Sequence, residues 1–224
     1  MTKAEKIFDR LKQRGIVGAS GKITMTMLNV SFNLSEKNAL GDILQEWLRN
    51  WLDSEHIYYR INPNTQEPPD FYLSNSDDID LLEVKVFDYS ASPNFDVANF
   101  DTYIRALIDK PYKIDSDYLV MGYELNHAKL IIKKIWLKKI WEICRGSNKF
   151  PINTQCKQGK IYNIRPATWY AARPTYPAFQ SRTEFIQALN NTINVYEHLS
   201  SEIDKNSWLN TIASKYKRAT GHKL

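Results

Sequence analysis

The stretch that decides the fold reads Pro69-Asp70-Phe71-Tyr72-Leu73, then the polar run Ser-Asn-Ser-Asp-Asp, then Ile79-Asp80-Leu81-Leu82-Glu83-Val84-Lys85-Val86-Phe87. Two apolar segments around a polar run are typical of strand, turn and strand. Side chains of a strand alternate between its two faces, so Glu83 and Lys85 point the same way and their apolar neighbours point the other way. The segment that carries them is otherwise apolar enough to be a central strand.

Asp70 is predicted to lie opposite Glu83. A turn centred between residues 76 and 77 pairs these positions in an antiparallel hairpin, where opposed Cβ atoms are about 4.5–5.5 Å apart. Two carboxylates so placed repel each other unless a cation lies between them, and Mg²⁺ prefers oxygen ligands. Lys85, with a pKa lowered by the ion and by burial, would accept a proton or orient a hydroxide for attack on phosphorus. The competing interpretation is a surface hairpin with an ordinary ion pair.

The motif resembles that of the PD-(D/E)XK nuclease superfamily, the fold of most type II restriction endonucleases. It consists of Pro69-Asp70, a gap of twelve residues, and Glu83-Val84-Lys85 in an apolar strand, with a helical pattern before and after. The resemblance implies that Asp70, Glu83 and Lys85 are catalytic and that Asp70 and Glu83 hold Mg²⁺. It also implies a further metal ligand on the preceding helix, where Glu46 is the similar position. A helical-wheel count puts Glu46 well off the apolar stripe, which also suits a solvated glutamate.

Chain size and residues 15–24, Gly-Ile-Val-Gly-Ala-Ser-Gly-Lys-Ile-Thr, also resemble the NgoBV type of restriction enzyme, whose members cut GGNNCC. The resemblance to type II restriction enzymes implies a homodimer on double-stranded DNA, because a palindromic site matches a two-fold protein. Two alternatives stay open. One is a structure-specific or repair nuclease of the same fold, and the other is a DNA-binding protein without catalysis.

The remaining pattern predicts an α/β fold with a mixed central sheet flanked by helices, and the resemblance implies that this sheet is restriction-endonuclease-like. We expect one domain over residues 1–224, with a small N-terminal helix and hairpin (1–35) and a basic C-terminal DNA-binding half. The predicted helices cover residues 4–14, 36–53, a segment after Asp96, one opened by a capping box at Ser181, and 206–219. The other predicted strands cover residues 22–34 as a hairpin, 118–125, 129–141 and 160–164.

Composition supports a DNA partner. Residues 1–100 contain 10 basic and 15 acidic residues, whereas residues 101–224 contain 20 and 10. Basic side chains in or beside loops rich in aromatic residues are the candidate DNA contacts, because arginine reads guanine and lysine holds phosphate. These candidates are Lys157, Lys160, Arg165, Arg173 and Arg182. The alternative for each is a solvated charge with no function.

Several other classes of protein are excluded. The 43% hydrophobic and 25% charged content argues against disorder. No apolar run suits a signal peptide or a membrane span, and two cysteines form no zinc pattern, so we expect a cytoplasmic protein. Residues 18–22, Gly-Ala-Ser-Gly-Lys, form only a fragment of a phosphate-binding loop. The four histidines are scattered, and Asp77, Asp78 and Asp80 are interpreted as turn formers.

Overall fold

The computed structural model describes residues 1–33, 37, 39–64, 67–126 and 128–224. The helices are α1 (Lys3–Gln13), α2 (Leu40–Ser54), α3 (Phe100–Asp109), α4 (Ile140–Ile143), α5 (Arg182–Val195) and α6 (Trp208–Thr220), with a 3-10 helix at Pro111–Asp115. The strands are β1 (Ser20–Lys22), β2 (Thr24–Met27), β3 (Val30–Asn33), β4 (Arg60–Ile61), β5 (Phe71–Tyr72), β6 (Leu81–Asp88), β7 (Ala98–Asn99), β8 (Asp117–Asn126), β9 (Lys129–Lys139), β10 (Thr154–Lys157) and β11 (Lys160–Ile164).

Six strands form the central sheet in the order β1-β9-β8-β6-β5-β4. The neighbours β6 and β8 run parallel, and every other pair is antiparallel. The parallel pair is possible because α3 and the 3-10 helix cross over between the two strands. The prediction of a mixed sheet is therefore confirmed, and the strand that carries Glu83 and Lys85 lies in its interior.

Helices pack on both faces of this sheet, as the sequence predicted. On one face, α1 and α2 bury an apolar stripe that includes Leu48 against Leu82 and Val84 of β6. On the other face, α3, α5 and α6 surround a second cluster with Val120 of β8 and Phe185. Within the part of the chain that the structure describes, no helix is long and apolar enough to cross a membrane.

The local elements differ from expectation in a few places. Residue Trp141 lies in the short helix α4 rather than in the preceding strand. The hydroxyl of Ser181 caps α5 by accepting from the Glu184 backbone N–H, but the Glu184 carboxylate accepts from Gln180 instead of closing the box. The N-terminal hairpin forms as β2 and β3 with Leu28 and Asn29 at its turn. The end of the predicted unit 1–35 lies outside the described residues, as does one of the four histidines, at position 127.

Candidate active site

The register of the β5–β6 hairpin places Asp70 opposite Glu83. Phe71 pairs with Leu82 and the next residue pairs with Leu81, so the turn is centred where the sequence predicted. Asp70 lies one residue before β5, and its Oδ2 accepts a hydrogen bond of 2.7 Å from the backbone N–H of Val84. This bond fixes the Asp70 carboxylate against β6.

Glu83 and Lys85 meet on the same face of β6. Lys85 Nζ lies 2.8 Å from Glu83 Oε1. The Lys85 side chain is 21% exposed, and the Glu83 side chain is 6% exposed. The other carboxylate oxygen, Glu83 Oε2, is buried and has no hydrogen-bond partner among the residues that the structure describes. Leaving a buried charged oxygen unpaired is costly, so the geometry leaves room for a cationic partner at this atom.

Burial and neighbouring charges shift the pKa values of Asp70 and Lys85. Burial and then the charge of Glu83 raise the pKa of Asp70 to about 7. Burial alone would lower the pKa of Lys85, but the charge of Glu83, its hydrogen bond and the charge of Asp70 outweigh burial, and the pKa of Lys85 is raised. The expectation from the sequence was a lowered pKa for Lys85 beside a bound cation. In the protein alone, the two carboxylates set the balance instead.

A cavity of about 590 Å³ opens over these three side chains. Its wall brings in polar residues that the sequence reasoning missed. Among them are Asp42 and Gln45 from α2, Glu67 from the loop before β5, and Asp96 from the loop before β7. Burial is the largest cause of the raised Asp70 pKa, and the neighbouring Gln45 side chain opposes it.

Glu46, the ligand expected on α2, is not brought to the cavity. Its side chain is 60% exposed, its carboxylate lies 3.3 Å from Arg49 Nη1, and it accepts a hydrogen bond of 3.1 Å from Asn50. A helix turns by about 100° per residue, so neighbouring positions face different surroundings. The side of α2 that faces the cavity carries Gln45, and Glu46 does not line the cavity with Asp70, Glu83 and Lys85. Among the described residues, no group of three or more His, Cys, Asp or Glu is placed to hold a metal ion.

An ion pair with a buried lysine holds the loop that leads to Asp70. Lys113 in the 3-10 helix is 2% exposed, and its Nζ lies 2.8 Å from Glu67 Oε2. Burial lowers the pKa of Lys113, although Glu67 opposes that effect. The buried amide of Asn62 donates to the carbonyls of Glu67 and Pro69, at 2.9 and 3.0 Å. The chain just before Asp70 is therefore fixed on two sides.

The candidate DNA contacts lie in different settings. Lys157 and Lys160 are exposed at the tip of the β10–β11 hairpin, and Arg173 is exposed in the loop before α5. Arg165 forms an ion pair with Asp96 on the cavity wall. This ion pair, like that of Lys113 with Glu67, connects the basic half of the chain to the cavity wall.

Arg182 is the candidate most engaged with the protein itself. Its guanidinium lies 4.8 Å from the ring centre of Tyr216 and 5.9 Å from that of Trp141. Its Nη1 lies 3.2 Å from Asp115 Oδ1 and also contacts the Tyr216 hydroxyl. These contacts tie the start of α5 to the 3-10 helix and to α6.

Comparisons with known proteins point to one family of restriction endonucleases. The family model for the NgoBV restriction endonuclease matches residues 1–224. The type II restriction enzyme NlaIV of Neisseria lactamica is 37% identical over 219 residues, which cover 96% of this chain and 89% of the relative. The type II restriction enzyme NgoBV of Neisseria gonorrhoeae is 36% identical over 158 residues, covering 69% of this chain and 90% of that relative.

A solved structure shows the same fold. The structure of the NlaIV restriction endonuclease superimposes with a TM-score of 0.92 at 34% identity, covering 100% of this chain and 92% of that one. This chain belongs to the NgoBV family of type II restriction endonucleases.

Proposed function

We propose that this restriction endonuclease hydrolyses phosphodiester bonds of double-stranded DNA in a Mg²⁺-dependent reaction at the cavity over Asp70, Glu83 and Lys85. The observation that carries the proposal is the buried, unpartnered Oε2 of Glu83. An oxygen of this kind suits a hard divalent cation, which binds carboxylate oxygens. Asp70 supplies the second carboxylate from the opposite strand, so the donor set fits the ion.

Each side chain has a distinct role in the proposed reaction. Asp70 and Glu83 hold the ion, which when bound neutralises charge on the phosphate oxygens. Lys85 binds and orients the attacking water, since its ammonium group is fixed 2.8 Å from Glu83. Gln45, which lines the cavity beside Asp70, helps to hold this carboxylate in position.

The DNA lies across the cavity with its backbone held by the basic half of the chain. The exposed Lys157, Lys160 and Arg173 are placed for phosphate contacts, which give affinity without reading sequence. Arg165 approaches the cavity through its ion pair with Asp96. We propose a short palindromic recognition site and a homodimer that presents one active site to each strand.

Digestion of a plasmid that contains GGNNCC sites tests this function. We expect discrete fragments in Mg²⁺ and none in EDTA, and sequencing of the ends gives the recognition site and the cut position. A smear of fragments would indicate a nuclease without base recognition. Metal-independent band shifts with no nicking in Mg²⁺ would indicate a DNA-binding protein and contradict the proposal.

Two adjacent residues of α2 offer a matched control for the site itself. Gln45→Ala removes a polar side chain that lines the cavity beside Asp70 and should lower the cleavage rate by roughly tenfold or more, because catalytic groups need close positioning. Glu46→Ala removes an exposed carboxylate that points away from the cavity, and its cleavage rate should equal that of the wild type. The reverse order of effects would restore Glu46 as the functional residue of this helix.

A further inference from the structure

The hairpin of β2 and β3, here called the ribbon, has two unlike faces. Every residue of both strands is exposed. One face carries two hydrogen-bonded side-chain pairs, Thr24–Asn33 and Thr26–Ser31, each at 2.8 Å. The other face carries two apolar cross-strand pairs, Met25–Phe32 and Met27–Val30. The ribbon is thus amphipathic although it covers neither hydrophobic cluster of the protein.

The apolar face is unusually open to solvent. The exposed fractions are 49% for Met25, 62% for Met27, 68% for Val30 and 53% for Phe32, and Leu28 at the tip is 91% exposed. None of these side chains belongs to either cluster of the core. A two-stranded hairpin by itself is only marginally stable in water, so burial of this face would stabilise it.

The chemistry of the ribbon restricts its partner. No Asp, Glu, Lys or Arg occurs from Ile23 to Leu34. A surface that binds the DNA backbone carries lysine or arginine, because affinity there comes from neutralised phosphates. An uncharged apolar face is instead complementary to another uncharged apolar face, and a second copy of the chain supplies an identical one.

We propose that the apolar face of the ribbon packs against the same face of a second copy of this chain about a two-fold axis. The contact is isologous, with two ribbons stacked about 10 Å apart. The five exposed apolar side chains present on the order of 500 Å² on each copy. The pair buries about 1,000 Å² in total, the lower end for a specific interface. This proposal rests on the homodimer of the proposed function and assigns its surface.

Adjacent residues of β3 give a matched test by sedimentation equilibrium without DNA or metal. The wild type is expected at twice the chain mass of 26.1 kDa. Val30→Asp puts a charge on the apolar face and should weaken dimerisation at least 100-fold, because an unpaired charge is buried on both sides of the axis. Ser31→Asp puts the same charge on the polar face and should leave the dimer intact.

The remaining outcomes overturn the proposal. A monomeric wild type at tens of micromolar, a dimeric Val30→Asp protein, or equal weakening by both variants would each exclude the apolar face as the dimer surface. A Val30→Asp protein that stays dimeric but loses DNA binding would assign the ribbon to DNA instead.

Chemical cross-linking provides a second measurement in case Val30→Asp disturbs the hairpin. Phe32→Cys with a short bis-maleimide should give a covalent dimer, with the wild type and its two free cysteines as the background. Absence of the cross-link in Phe32→Cys would contradict the stacked arrangement. Because neither test involves cleavage, failure of the dimer surface and failure of the nuclease function are separately visible.

Discussion

The substitution Asp70→Asn is expected to stabilise the metal-free protein at pH 8, although it should destroy activity. Burial and the charge of Glu83 raise the pKa of Asp70 from 3.8 to about 7. Between these two values the folded protein keeps a proton that the unfolded chain has released, so the free energy of unfolding falls as pH rises through this window. Above pH 7 the folded protein carries the full cost of an ionised Asp70.

The size of the stabilisation by Asp70→Asn follows from the shift in the pKa of Asp70. About three pKa units at about 1.4 kcal/mol each give an upper limit of about 4 kcal/mol, and partial exposure of Asp70 reduces this to about 2–4 kcal/mol. Asparagine keeps a carbonyl oxygen that can accept from the Val84 N–H, so the main change is the lost charge. The stability difference should be near zero at pH 4, grow up to pH 7 and stay constant above it.

Urea denaturation in EDTA at pH 4, 6 and 8 measures this difference. Asp109→Asn is the control, because the Asp109 side chain is 79% exposed. Added Mg²⁺ should then stabilise the wild type and not Asp70→Asn, since binding to the folded state raises stability by mass action. An Asp70→Asn protein that is less stable than the wild type at pH 8, or equally stable, would refute the reasoning.

Three further predictions concern other parts of the chain. Arg182→Ala should lower the free energy of unfolding by about 1–3 kcal/mol in urea denaturation, because it removes the contacts with Asp115. A normal stability with a weakened DNA affinity would assign Arg182 to DNA instead. Lys160→Ala should reduce the slope of log K for DNA against log salt by about 1, and an unchanged slope would exclude a phosphate contact. Gly122→Ala should lower the free energy of unfolding by about 1–3 kcal/mol, because the added Cβ would lie 2.9 Å from the Tyr89 ring. An unchanged melting temperature would contradict this clash.

The β5–β6 hairpin was predictable because its determinants are local. Strand alternation places Glu83 and Lys85 on one face, and the polar run fixes the turn, which fixes the register at Asp70. The mixed sheet was predictable for the same reason, since the long strands β8 and β9 show their pattern within a few residues. The short strands β1, β4, β7 and β10 have two to four residues each, too few to show a period.

Contacts between distant segments were not predictable. Whether Gln45 or Glu46 faces the cavity depends on how α2 rotates when it packs on β6, and the helical pattern alone allows both. Lys113 and Glu67 are 46 positions apart, and neither residue stands in a recognisable motif. The ribbon showed its strand period in the sequence, but only the structure shows that its apolar face is uncovered.

The role of Lys85 tests the central claim most directly. The measurement is the single-turnover rate of plasmid cleavage in Mg²⁺ by the Lys85→Ala protein, with DNA affinity measured separately in Ca²⁺. We predict a loss of at least 100-fold in rate, as for removal of a group that positions or activates water, while the Kd for DNA stays within about threefold of the wild type. A Lys85→Ala protein that cleaves within tenfold of the wild-type rate would contradict the assignment of this cavity as the active site.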